Sequence, residues 1–247
     1  MSKKDLKIGC IIYSRMKSSR FPGKANHKLC GIPLLERVIN KAKLISFNTK
    51  IIVATSKDLS DIKICEIAEK NNVMFFRGSH KNVYKRTFDI LQKFKFDYFV
   101  RICGDRPLFD PFLYDQAIKQ TIKTNLDLCT SLNPRILPAG LTVEVISAKS
   151  FKSISKDLSS FNKEHITSKY YENPESFDIE TLEIPQEINW SKFHNNSYTF
   201  DEPQDISFLE YNIKNLKEIN SGIEYHLRLK QIAKEWNNVK FRKDKIN

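Results

Sequence analysis

At 247 residues, 40% hydrophobic and 28% charged, the chain has the composition of an ordinary globular protein and enough length to bury a sizeable core. Its apolar runs, such as Ile8–Tyr13, fall far short of the ~20 residues a membrane-spanning helix needs, and MSKKD at the start is no apolar leader, so neither a membrane span nor export is expected. The formal net charge of +12 favours anionic partners, but the lysines are spread along the chain without a recognition helix, RNP-like aromatic strand or zinc spacing; the excess reads mainly as a solubilising surface, and nucleic acid is not expected as the main partner.

The first expected strand is Ile8–Tyr13, followed by Leu34, Leu35, Val38, Ile39 and Ala42 at helical spacing behind Pro33, which suits a first helical turn. A second strand is expected at residues 50–55, with a helix over 58–71 that turns Ile64, Cys65 and Ala68 inward. A third strand at 73–76 precedes a helix over 82–94 with Tyr84, Phe88, Leu91 and Phe94 on one face. Strands at 97–103, 126–132 and 141–146 follow, with a helix over Pro111–Thr124 after the first of them. Short apolar strands alternating with amphipathic helices predict a three-layer α/β fold with a mostly parallel sheet. Past about residue 148 the pattern loosens. Helices are expected at 151–158, 162–172, 203–216 and 224–236, and strands at 177–184 and 198–200. Without repeats or a long linker, residues 1–247 read as one domain, with 148–200 as an embellishment. The five cysteines are an odd number without metal spacing, and read as the reduced thiols of a cytoplasmic protein.

Three segments carry candidate chemistry. SRMKSSRFPGK, residues 14–24, leaves the end of strand one, where ligands bind in an open α/β sheet. Arg15 and Arg20 offer planar forks for phosphate oxygens, Lys24 a point charge, and Ser14, Ser18, Ser19 and backbone amides further hydrogen bonds. The loop lacks GxxxxGK[ST], so it is no Walker loop, and its charge alone would equally suit a solvated turn. GDRP, residues 104–107, ends the strand at 97–103. There Gly104 permits close approach, and Asp105 is placed either to hold magnesium or to serve the turn before the next helix. In TFDEP, residues 199–203, Asp201 is either an N-cap or a second carboxylate for the same cation.

Taken together, these segments resemble the cytidylyltransferases that make CMP-activated acidic sugars: the 3-deoxy-manno-octulosonate and acylneuraminate enzymes and, above all, the spore-coat-polysaccharide branch. The strings SRMKSSRFPGK, GIPLLERVI, IIVATS, FRGS, RICGDRPLFDP, PAGLTVEVIS, KEHIT and TFDEPQDI carry the likeness in order from about residue 8 to 216. The resemblance implies a Rossmann-like nucleotidyltransferase fold, CTP as donor, Mg2+ as cofactor and a small anionic acceptor. It matches Arg15 and Lys24, with Arg20 beside them, to triphosphate-binding positions, and Asp105 and Asp201 to metal-binding carboxylates. The sugar hydroxyl would attack the α-phosphorus and pyrophosphate would leave, chemistry that depends on positioning and charge neutralisation. A homodimer, with 148–200 as the region to contain its interface, also follows from the likeness.

Candidates for touching the acceptor or the nucleotide are Arg77, Arg86, Arg101, Glu144, Glu164 and His165. His165 would alternatively satisfy a helix end, and Arg101 a nearby acid. Glu144, in an otherwise apolar strand, needs a partner whether that is a sugar hydroxyl or an arginine. Three positions depart from the branch pattern, each by losing an aspartate: Asn82, Lys85 and Thr142. The acceptor side is thus where this chain differs from its relatives.

Overall fold

The run that opens the chain, IGCIIY, is buried along almost its whole length, as a strand covered by helices on both faces must be. It is β1 (Ile8–Tyr13) in a computed structural model that describes residues 6–18, 20–155, 157–188, 190, 196–216 and 218–244. A small hairpin, β2 (Lys28–Leu29) and β3 (Ile32–Pro33), leads into α1 (Leu34–Ala42). Then come β4 (Thr49–Ser56), α2 (Ile62–Lys70), β5 (Met74–Gly78), α3 (Val83–Phe94), β6 (Tyr98–Cys103) and α4 (Pro111–Thr124). The second part comprises β7 (Leu128–Thr130), β8 (Glu144–Ser147), α5 (Ala148–Ser153), α6 (Ser160–Glu164), α7 (Ser168–Glu172), β9 (Ile179–Thr181), α8 (Asp205–Leu216) and α9 (Gly222–Asp244).

The main sheet has the order β5-β4-β1-β6-β8-β7-β9. Every neighbouring pair is parallel except those of β8, which runs against both β6 and β7. β1 hands the chain to β4 on one side, whereas β6 returns on the other, so the chain direction switches beside β1. The registers Tyr13↔Ala54 and Tyr13↔Cys103 bring the carboxyl ends of β1, β4 and β6 to one edge. One face packs α1, α2, α4, α8 and α9 around Cys10, Ile12, Val53, Val100 and Ile102. The other packs α3, α5 and α7 around Ile11, Ile52, Ala54, Phe99 and Ile146, with α6 lying against α3. This is the three-layer, mostly parallel fold expected from the alternation of strands and helices. The caps are local: Asn82 accepts from Lys85 N–H at 2.7 Å to start α3, and Asp110 accepts from Phe112 N–H at 3.0 Å to start α4 behind Pro111. Among the described residues, no helix is long and apolar enough to cross a membrane.

Several boundaries differ from the sequence expectation. The strands expected at 126–132, 141–146 and 177–184 shrink to β7, β8 and β9, whose lengths are set by how far their partners run. Residues 198–200 form no strand. Their backbone instead ties two loops together, with Tyr198 N–H on Ala139 O and Phe200 N–H on Asp105 O, both at 2.8 Å. The helix expected at 162–172 breaks at His165 into α6 and α7, and the one at 151–158 is α5, ending by Ser153. The β2–β3 hairpin was not anticipated. Its two-residue turn, Cys30-Gly31, has φ of 47° and 81°, a primed-turn geometry. The five cysteines are free; Cys10, Cys103 and Cys129 lie on strands and Cys65 on α2, as expected.

Candidate active site

A cavity of about 300 Å³, within the size range of small-molecule sites, opens where β1 and β6 end. Two backbones meet there. Gly104 N–H donates to Tyr13 O at 2.8 Å, and a Cβ on Gly104 would lie 2.9 Å from Ser14 Cβ and 3.0 Å from Tyr13 O. Glycine is required because the loop after β1 is pressed onto it; the close approach read from the sequence is made by Ser14.

The 14–24 loop is held at both ends. Met16 N–H donates to the buried Asp61 carboxylate at 2.7 Å, and the same carboxylate accepts from Ser56 N–H at 3.0 Å. Gly23 N–H closes the loop on Met16 O at 2.8 Å, after which Lys24–Asn26 form a 3-10 turn. Phe21, His27 and Phe200 pack edge to ring with centroids 5.2–5.3 Å apart, and Phe200 N–H on Asp105 O sets Asp201 beside Asp105. Asp61 was missed by sequence reasoning; in SKDLSDI it looks like one more acid at a helix start, and only its burial distinguishes it.

The cavity's charges meet in pairs. Lys24 Nζ donates to Asp105 Oδ2 at 2.8 Å, Asp201 Oδ1 at 3.3 Å and Phe200 O at 3.0 Å, with its side chain only 14% exposed. Arg20 reaches Asp201 at 2.9 Å, and Arg15 reaches Glu164 of α6 at 3.1 Å. Ser14, Ser18, Gly104 and His165 line the same cavity; Ser19 lies outside the described residues. His165 ends α6, its N–H on Phe161 O at 2.7 Å and its ring 4.3 Å from that of Phe161, so it serves a helix end while facing the cavity.

The inner wall is built on a buried ion pair. Arg101 of β6 donates to the fully buried Glu144 of β8, whose second oxygen accepts from Tyr171 OH at 2.8 Å, and Tyr171 OH contacts Thr130 Oγ1 at 2.8 Å. Burial alone would raise the Glu144 carboxyl, but the Arg101 and Arg106 guanidinium groups and hydrogen bonds from Thr167 and Tyr171 hold it below the usual carboxylate range. Arg101 and Arg86 line the cavity; Glu144 and Arg77 do not. Arg77 turns back onto its own sheet edge, donating to Ser56 O at 3.2 Å and Asp58 O at 2.9 Å. The departures Asn82, Lys85 and Thr142 also stand outside the cavity. Asn82 still caps α3, Lys85 pairs with Asp89 along the helix, and Thr142 accepts from Arg106 through O and Oγ1.

Two carboxylates converging on one ammonium form a centre for positive charge. Their hard oxygens fit magnesium, which takes one or two carboxylates and completes its shell with phosphate and water. No group of three or more His, Cys, Asp or Glu side chains among the described residues would hold a metal by itself. A metal at Asp105 and Asp201 would therefore share its shell with a ligand.

Residues 9–241 match a family model described as cytidylyltransferase. The spore coat polysaccharide biosynthesis protein SpsF of Bacillus subtilis is 27% identical over 206 residues, 81% of this chain and 83% of that protein. A 3-deoxy-manno-octulosonate cytidylyltransferase of Blochmanniella floridana is 31% identical over 134 residues, 50% of this chain and 52% of its own. Among solved structures, a cytidylyltransferase from Leptospira borgpetersenii superposes with a TM-score of 0.82 at 25% identity, covering 95% of this chain and 96% of that one.

Proposed function

The chain belongs to the cytidylyltransferase family, a family of nucleotidyltransferases, and from that premise we propose that it couples CTP to an acidic sugar of the ulosonic class, giving a CMP-sugar and pyrophosphate for surface glycan synthesis. The observation that carries this reading is Lys24 held between Asp105 and Asp201 at the carboxyl edge of β1 and β6.

In this reading the ligand exchanges ion-pair partners with the protein. Arg15, Arg20 and Lys24 leave their carboxylates for the triphosphate, whose charge they share through charge-assisted hydrogen bonds. Asp105 and Asp201 are then free to hold magnesium, which would offset the charge between the phosphates and the carboxylates. The acceptor hydroxyl oxygen bonds to the α-phosphorus as the bond to the β-phosphate oxygen breaks. Pyrophosphate leaves with that electron pair, and the hydroxyl proton passes to water. Charge growing on the leaving group is met by cations already fixed by the 14–24 loop, so little reorganisation is needed during the reaction. The single-domain chain lends residues 148–200 to the acceptor side, where α6 contributes Glu164 and His165.

The test incubates the protein with magnesium, each of the four nucleoside triphosphates and a panel of ulosonic acids, and follows pyrophosphate. Release with CTP that requires the acid is expected. Release with a neutral alcohol alone, or with none of the pairings, would overturn the reading.

A further inference from the structure

The inner wall of the cavity also carries a charge that the protein leaves unneutralised. Arg86, on the first turn of α3, lines the cavity and is 3% exposed. The other cations there have acids: Arg15 has Glu164, Arg20 has Asp201, Lys24 has both aspartates and Arg101 has Glu144. Arg86 has no ion pair among the described residues. Its Nε–H is buried without a hydrogen-bond partner there, and its Nη1–H reaches Ala54 O only at 3.4 Å. Burial lowers its pKa; Tyr13 and Asp61 offset part of that, and Arg15 adds to it. Asp61 is no counter-ion, being engaged by Met16 N–H, Ser56 N–H and Ser56 Oγ–H.

The fold makes room for this arginine. A Cβ on Gly78 would lie 2.7 Å from Arg86 Cγ and 3.0 Å from its Cβ, so the last residue of β5 has no side chain where the arginine stem passes. A buried cation without an anion is costly, and a guanidinium fork with an open donor is the shape that receives a carboxylate or a phosphate edge.

We propose that Arg86 anchors the carboxylate of the acceptor and so selects acidic over neutral acceptors. This rests on the nucleotidyl-transfer reading above. A triphosphate lying along the 14–24 loop has Arg15, Arg20 and Lys24 on that loop. Arg86 comes instead from α3, against which α6 packs, and lines the same cavity as the strand ends Tyr13 and Cys103, so a second anion brought by the acceptor can meet it there.

The experiment takes the acidic sugar that wild type turns over best and its carboxamide, and measures kcat and KM for each with wild type, Arg86→Gln, Arg86→Lys and Gly78→Ala. Wild type should favour the acid by about a hundredfold in kcat/KM, the size expected for a desolvated charge pair. Arg86→Gln should lose nearly all of that preference with the KM for CTP within about threefold of wild type, Arg86→Lys should keep part of it, and Gly78→Ala should shift in the same direction. A thermal shift on adding CTP shows that each variant is folded. Retained acid preference in a folded Arg86→Gln, or a rise confined to the CTP KM, overturns the inference; the second result would make Arg86 a triphosphate ligand. If wild type turns over acid and amide alike, this inference fails alone. If it turns over no carboxylate-bearing acceptor at all, the functional reading fails with it.

Discussion

Glu144→Gln isolates the ion pair on which the inner wall stands. The substitution keeps size and one acceptor oxygen but leaves the Arg101 guanidinium without its negative partner. Glu144 is fully buried and the Arg101 side chain 17% exposed, so solvent replaces little of the lost interaction. Removing one member of a buried pair costs about 3–5 kcal/mol, and the edge that Arg101 shows to the cavity places this case near 3. For a chain of this length that is a fall in Tm of roughly 6–12 °C. Urea unfolding at pH 7 reads it directly. Arg101→Met added to Glu144→Gln should recover most of the loss, since the stranded charge goes with it. The pH dependence has a defined sign. A carboxyl held below its ordinary value stabilises the fold above about pH 4.3, and that contribution disappears as pH falls through the lowered value. The gap between wild type and Glu144→Gln should therefore close on acidification. A loss under about 1 kcal/mol at pH 7, or a double variant no more stable than the single one, would refute the reasoning.

Two further outcomes follow from charged groups outside the cavity. Asp61→Asn turns an amide N–H toward donors now served by the carboxylate at Met16 and Ser56; stability should fall by about 1–3 kcal/mol and the KM for CTP should rise about tenfold, whereas an unchanged KM would show that this anchor does not set the loop. Lys41, half-buried with its ammonium 3.9 Å from the Tyr225 ring and donating to Asn220 O, has its pKa lowered to about 8 by desolvation, against a partial Asp110 offset. Between that value and the ordinary lysine value of about 10.4 the unfolded chain binds more protons, so stability should climb from pH 8 to 9.5 in wild type and stay flatter in Lys41→Met; parallel curves would contradict this assignment.

What could be read from the chain follows from where the forces act. β1 was legible as an unbroken apolar run and the stripe Leu34, Leu35, Val38, Ile39 and Ala42 by its helical period, because both patterns are local. β7, β8 and β9 were overdrawn because apolar residues continue past the point where a neighbouring strand ends, and pairing rather than composition sets a strand's length. The 14–24 loop was legible by its charge and its place after a strand. Its encounter with Asp105 and Asp201 depended on Phe200 N–H finding Asp105 O, a contact between distant segments that leaves no mark in either. Arg77 and Arg86 illustrate the limit for side chains. Both are arginines near the end of β5, yet one caps its own sheet edge and the other enters the cavity. Glu144 needed a partner by its chemistry alone, but which arginine answers it is settled by the pairing of β6 with β8.

The central claim is that Asp105 and Asp201, meeting at Lys24, form the reacting centre for CTP. Turnover of Asp105→Ala and Asp201→Ala at saturating CTP, acceptor and magnesium tests it most directly, with thermal unfolding recorded on the same samples. The account predicts that kcat falls by at least about a thousandfold in each while both remain folded, because charge neutralisation is most of the catalysis. A folded variant of either kind that works within a few-fold of wild type would contradict it.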